Sequence, residues 1–120
     1  MDEKNILKNK SKRFAVRIVN LSKYLNYDKN ETIMAKQVLR SGTSIGANIA
    51  EAEYAVSKSD FFNKLSIALK ETSETIYWLE ILKETEYIST EQFCSMFDDC
   101  EELRKMLAAS TKTLKDSKET

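Results

Sequence analysis

Asp60-Phe61-Phe62-Asn63-Lys64-Leu65-Ser66-Ile67-Ala68-Leu69-Lys70-Glu71-Thr72-Ser73-Glu74-Thr75-Ile76-Tyr77-Trp78-Leu79-Glu80-Ile81-Leu82 decides the fold. Within it Phe61, Leu65, Ala68, Thr72, Thr75, Leu79 and Leu82 alternate spacings of four and three, which is the a/d seam of a helix packed lengthwise on other helices. Ser57 and Asp60 ahead of the seam form a Ser-x-x-Asp cap. Phe62, Ile67, Leu69, Ile76, Tyr77, Trp78 and Ile81 fall outside the seam, more apolar bulk than one intramolecular groove needs, so a second buried face is expected.

Upstream, helix two is expected to run from the capping pair Asp28 and Glu31 to about Val56, with Met34, Val38, Ser41, Ile45 and Ala52 as its core stripe and Asn48 and Ile49 straddling it. Its centre, Arg40-Ser41-Gly42-Thr43-Ser44-Ile45-Gly46-Ala47-Asn48-Ile49-Ala50-Glu51-Ala52, is built mostly from small residues. Gly42 and Gly46 each cost about 1 kcal/mol of helix stability relative to alanine, so close helix crossing must compensate, within the protomer and in part between protomers. On the other flank Arg40, Ser44 and Glu51 lie within about 40° of one another on a helical wheel, with Asn48 nearer the core. This polar line is the best site candidate, holding partners across a subunit boundary or gripping a phosphate.

Helix one is expected from about Lys8 to Leu25 on the stripe Phe14, Ile18, Leu21 and Leu25, with Lys8, Lys12 and Lys23 on its far side among Val16 and Val19. Helix four begins at the cap Ser89 and Gln92 and carries Phe93, Phe97, Cys100, Leu103, Leu107, Ser110 and Leu114 in the same rhythm. Residues 1–7 and 116–120 are expected to fray. Four helices with short connections make neighbours antiparallel, so the fold class is all-α: a single-domain, up-down-up-down four-helix bundle over residues 1–120.

Composition narrows function by exclusion. A chain of 120 residues suits one domain, and two glycines with no proline remove the turn chemistry of all-β folds. No apolar run approaches the roughly 20 residues of a membrane span and the start lacks a signal peptide, so a cytoplasmic protein is expected. The absence of histidine removes Ser-His and Cys-His nucleophile pairs, His-ligated zinc and Glu-x-x-His di-iron sites. No acid, base and nucleophile converge on one face, and Glu71, Glu74, Glu80 and Glu84 read as ion-pair partners for neighbouring lysines. No enzyme, cofactor or metal is implied. Cys94 and Cys100, about 240° apart around one helix, cannot pair and are expected as buried small hydrophobes. Residues 1–40 hold ten Lys and Arg against four Asp and Glu, a net of +6, and residues 41–120 carry the balancing −6. Such polarity steers an anionic partner to the first helices or makes opposite faces of identical subunits attract.

The helix-two segment, above all Ser44-Ile45, Asn48 and Glu51-Ala52, and the helix-three marks Ile67-Ala68-Leu69-Lys70-Glu71, Glu74-Thr75 and Tyr77-Trp78-Leu79 resemble the bacterial four-helix-bundle proteins named for the intervening sequences of 23S ribosomal RNA genes. The resemblance spans about residues 8–110. It implies a left-handed bundle, protomers gathered into a homopentameric ring, no known catalysis and a proposed link to RNA. The expected function is therefore a non-catalytic scaffold that associates with itself. Arg40, Ser44, Asn48, Glu51, Gly42, Gly46, Glu74 and Trp78 are the interface or polar-stripe candidates, and Lys8, Lys12, Arg13, Arg17, Lys23 and Arg40 the candidates for contact with RNA or a ribonucleoprotein. The alternative is a protein-binding or purely structural module without nucleic acid.

Overall fold

Residues 3–119, described by the computed structural model, form α1 (Glu3–Tyr27), α2 (Thr32–Ala52), α3 (Lys58–Glu84) and α4 (Thr90–Glu119). The antiparallel register is visible in the pairs between neighbours. Ile18 of α1 meets Gly42 and Ser11 meets Gly46; Arg40 of α2 reaches Glu74 while Glu51 reaches back to Lys64; Lys10 pairs with Glu102 and Arg17 with Asp99 across α1 and α4. The molecule is thus the up-down-up-down bundle that the seam spacing demands, 50 × 26 × 22 Å, with α1 and α4 meeting along its thinnest seam.

One continuous core draws on all four helices. In α3 the buried residues are Leu65, Ala68, Thr72, Thr75, Leu79 and Leu82, six of the seven seam positions, with Phe61 packed at the edge. In α1 Phe14, Ile18 and Leu25 are buried and Leu21 is partly so. Hydroxyls run through this core, and each finds an acceptor, as a buried polar group must. Ser11 donates to the Lys8 carbonyl (2.9 Å), Ser22 to Ala35 (3.3 Å), Thr72 to Leu69 (2.6 Å) and Thr111 to Leu107 (2.9 Å). The Thr75 and Ser41 hydroxyls lie 3.0 Å apart and tie α3 to α2.

Several boundaries differ from the expectations, each for a local reason. α1 starts at Glu3, because Leu7 is buried and Ser11 adds a further turn to the core; α4 runs on to Glu119 past Thr111, which is also buried. Residues 3–7 and 116–119 of the stretches expected to fray are placed in helix; Met1, Asp2 and Thr120 lie outside the described residues. α2 ends at Ala52 rather than Val56, since the Glu53, Tyr54 and Ala55 N–H groups bond three residues back and tighten the chain into turns. Val38, Ser41, Ile45 and Ala52 of its expected stripe are buried, joined by Ala35, Gly42 and the flanking Ile49, while Met34 and Asn48 are only half-buried. In α4, Met96 and Thr111 take the core places expected for Phe97 and Ser110. Cys100 is buried, its thiol 3.5 Å from the Thr72 carbonyl and pushed up to about 12 by that burial, but Cys94 is exposed.

The caps are split between expectation and surprise. Ser89 and Gln92 make the full reciprocal box, with the Gln92 N–H donating to Ser89 Oγ (3.0 Å) and the Ser89 N–H to Gln92 Oε1 (2.8 Å). Ser57 Oγ accepts from the Asp60 N–H at 3.0 Å. The start of α2 is different: Glu31 itself is the cap, its Oε1 accepting from Ile33 and Met34, and Asp28 takes no such part. Before it, Asn30 adopts the left-handed conformation (φ 54°), a role asparagine fills more readily than most residues.

Candidate functional site

The small-residue segment of α2 divides into two faces with different roles. Gly42 and Gly46 face the chain's own α1. A Cβ on Gly42 would stand 2.6 Å from the Ile18 side chain, and one on Gly46 would stand 3.3 Å from the Ser11 carbonyl oxygen. Their close approach is therefore with α1 of the same protomer, and the helix-propensity cost of two glycines is offset by dense internal packing. The opposite, outward side presents Ala47 and Ala50, both exposed.

The expected polar line is also divided. Arg40 leaves α2 for α3, where its guanidinium binds the Glu74 carboxylate and lies 3.7 Å from Glu71 Oε2. Trp78, one turn beyond Glu74, donates its indole N–H to the same Glu74 oxygen at 3.2 Å. Glu51 pairs with Lys64 of α3 at 3.3 Å. Asn48 instead donates within its own helix to the Ser44 carbonyl at 2.8 Å. Arg40, Glu74 and Trp78 thus come together as one cluster, Ser44 and Asn48 as a second, and Glu51 stands apart; Arg40 and Glu51 have partners inside the chain.

Glu71 completes the cluster, a place that its spacing alone does not give it. Its Oε2 is buried and has no hydrogen-bond partner among the described residues. Burial raises its pKa first, the adjacent Glu74 charge second, and the nearby Arg40 and Lys70 only partly oppose them. The sequence signal for it is its position one turn before Glu74 on the α2 side of α3. Around the cluster, Ile67 is 42% exposed and Tyr77 55% exposed, with the Tyr77 and Trp78 rings edge to face at 5.2 Å. Part of the apolar bulk expected on a second face of α3, namely Leu69, Ile76 and Trp78, packs against the chain's own core; Ile67 and Tyr77 do not.

The basic residues of α1 are partitioned as well. Lys8 pairs with Glu53 (3.2 Å) and Lys10 with Glu102 (2.9 Å), while Arg17 binds Asp99, the Ser95 carbonyl (3.2 Å) and Ser95 Oγ (2.8 Å). Much of the charge polarity read along the sequence is thereby neutralised inside the fold. Lys12, Arg13 and Lys23 are exposed and make no ion pair among the described residues, and Val16, 55% exposed, sits between them on α1. Among the described residues no helix is long and apolar enough to cross a membrane.

A model of the 23S rRNA-intervening sequence protein family matches residues 3–109, which covers the polar cluster, the glycine crossing and both outward faces. The chain belongs to that family. It is also similar to a crystallised protein of unknown function from the S23 ribosomal protein family of Bacteroides thetaiotaomicron, at 57% identity over 92% of this chain and 99% of that one, with a TM-score of 0.91. No curated protein matches. The family assignment agrees with the resemblance carried by Ser44-Ile45, Asn48, Glu51-Ala52 and the Tyr77-Trp78-Leu79 run.

Proposed function

We propose that this chain is a non-catalytic cytoplasmic scaffold that associates with itself, its α2–α3 face docking on the outer face of α1 of the next copy. The observation that carries this reading is the apolar patch left outside the core, Ile67 and Tyr77 exposed beside Trp78, with the Arg40–Glu74 ion pair at its edge. The outer face of α1 complements it, with Val16 and Val19 exposed between Lys12 and Lys23. Two different patches on one chain make a head-to-tail contact, which yields a ring when the rotation closes. Five copies is the number that the family resemblance implies. Sedimentation equilibrium tests this directly: the expected mass is five times the 13.8 kDa protomer, and Ile67→Glu with Tyr77→Glu should reduce it to a folded monomer. A wild-type monomer at high micromolar concentration rejects the proposal.

A second reading, contact with RNA or a ribonucleoprotein, is favoured by one observation only. Lys12, Arg13 and Lys23 make no ion pair among the described residues, and a ring would repeat them around its circumference. Filter binding to structured RNA at two salt concentrations tests it; no binding at low salt, or binding indifferent to salt, removes it.

A further inference from the structure

At the end of the bundle where α1 and α3 begin and α2 and α4 end, the four helices do not close on one another. A cleft of about 310 Å³ remains, walled by Ile49, Phe61, Leu65 and Leu114. Its cause is legible in side-chain size. Small side chains line it, Ala52 in α2 and Ala109 and Ser110 in α4, and they leave part of the space between the helices unfilled. The volume lies at the lower end of the range of ligand-binding clefts, about 300–1,000 Å³, and the mostly apolar wall with a few polar groups is the usual make-up of such sites.

The polar groups of the lining select the ligand. The ionised ones are Lys8 and Glu53, and they are bonded to each other at 3.2 Å, so among the described residues the cleft presents no unmatched charge of either sign. Thr113 donates its hydroxyl proton to the Ala109 carbonyl at 3.0 Å and keeps only acceptor capacity. The Ser110 hydroxyl has no partner among the described residues and can both donate and accept. A charged head group would have to break the Lys8–Glu53 pair or sit against a like charge, whereas a single hydroxyl or carbonyl would meet Ser110.

We propose that this cleft is a binding site for an uncharged, mainly apolar small molecule bearing one hydroxyl or carbonyl, of the kind a medium-chain alcohol represents. The site does not depend on self-association, since it lies at the bundle end rather than on the α2–α3 face.

The test uses the full chain, with 1-octanol and octanoate as probes, read by thermal melting and by isothermal titration. The expected result is saturable binding of 1-octanol with a rise in melting temperature, and weaker binding of octanoate. Ser110→Leu should abolish the saturable response while leaving the ligand-free melting temperature unchanged or higher, because leucine fills the cleft. Thr113→Leu, at a more exposed position on the rim, provides the same readout should the first variant misfold. Absence of saturation in the wild type, as when a second copy covers the cleft, overturns the proposal. So does an unchanged response in both filled variants, and octanoate binding as tightly as 1-octanol overturns the assignment of an uncharged ligand.

Discussion

Ile18 of α1 occupies the space that any side chain on Gly42 of α2 would need: an ideal Cβ there lies 2.6 Å from its Cγ1 and 2.8 Å from both Cδ1 and Cγ2. Ile18 is itself fully buried and β-branched, so it has little freedom to swing aside. Gly42→Ala gains about 1 kcal/mol of helix propensity but overpacks the crossing by about 1–3 kcal/mol, for a net loss of up to about 2 kcal/mol. In an Ile18→Ala background the obstruction is gone and the same substitution should become neutral or stabilising. Urea unfolding of the four proteins of this cycle measures the coupling. Equal losses in both backgrounds would show that the two residues do not constrain each other.

Glu71 gives a pH signature of opposite sign to the usual carboxylate. Burial and the Glu74 charge hold its folded pKa above the ordinary 4.5. Below that ordinary value both folded and unfolded chains hold the proton, and the group has no effect. As pH rises, the unfolded chain ionises first, so stability falls through the interval up to the folded pKa and stays reduced above it. Glu71→Gln should therefore raise stability at pH 7 by about 0.5–1 kcal/mol, since it removes a partly buried charge that Arg40 only partly offsets. The gain should vanish below about pH 4, where the wild-type carboxyl is protonated in both states. Denaturant midpoints across this range decide the matter; a loss at pH 7 would mean that the Arg40 contact outweighs burial.

Arg17 is the principal polar link across the thin seam between α1 and α4, binding Asp99 and both the carbonyl and hydroxyl of Ser95. The partners are more than a third exposed, so solvent screens the pair. Arg17→Ala is expected to cost about 0.5–1 kcal/mol at low salt and less at about 0.5 M salt, where the Debye length falls below about 5 Å. A cost that does not change with salt would assign the effect to the apolar stem of the arginine rather than to its charge.

The seam of α3 is legible because its burial is dictated by period alone: Leu65, Ala68, Thr72, Thr75, Leu79 and Leu82 face one core, and nothing at that level competes with the period. The α2 stripe is less so. Spacing places Val38, Ser41, Ile45 and Ala52 in the core, as found, but it puts Met34 there too and leaves out Ala35 and Gly42, which α1 covers. How near α1 comes is a distance no single-helix wheel contains. The polar line fails for a related reason. Arg40 and Glu51 share one side of the wheel, yet their partners are fixed by the register of α3, which brings Glu74 to one and Lys64 to the other. Likewise the basic character of α1 is plain in the sequence, but the pairing of Lys8, Lys10 and Arg17 depends on acidic residues at least 45 positions away along the chain.

The cap of α2 turns that difference into an experiment. Glu31 Oε1 accepts from the Ile33 and Met34 N–H groups at 3.0 and 2.9 Å, whereas Asp28, the residue a capping-box pattern would choose, makes neither bond. Glu31→Ala should lower stability by about 0.5–1 kcal/mol, toward the low end for caps because the bonded side chain is long and partly exposed. Asp28→Ala should change it by less than about 0.5 kcal/mol. Thermal unfolding of the two variants gives the ranking, and a larger effect at Asp28 would assign the cap to that residue instead.

The basic residues of α1 separate into two sets that an RNA titration can tell apart. Lys12, Arg13 and Lys23 have no ion-pair partner to displace among the described residues, so a phosphate gains their full attraction; Lys8 and Lys10 must first give up Glu53 and Glu102. Removing a cation that neutralises one phosphate should flatten the dependence of log affinity on log salt by about 0.7–0.9. Under the RNA reading, changing Lys12, Arg13 and Lys23 to glutamine is therefore expected to reduce the slope by about 2–3 in total, and changing Lys8 and Lys10 by much less. Equal slopes for the two variants would mean that ion pairing within the chain does not choose the contact surface. A slope unaltered by either would remove α1 from the RNA reading altogether and leave self-association as the purpose of its outer face.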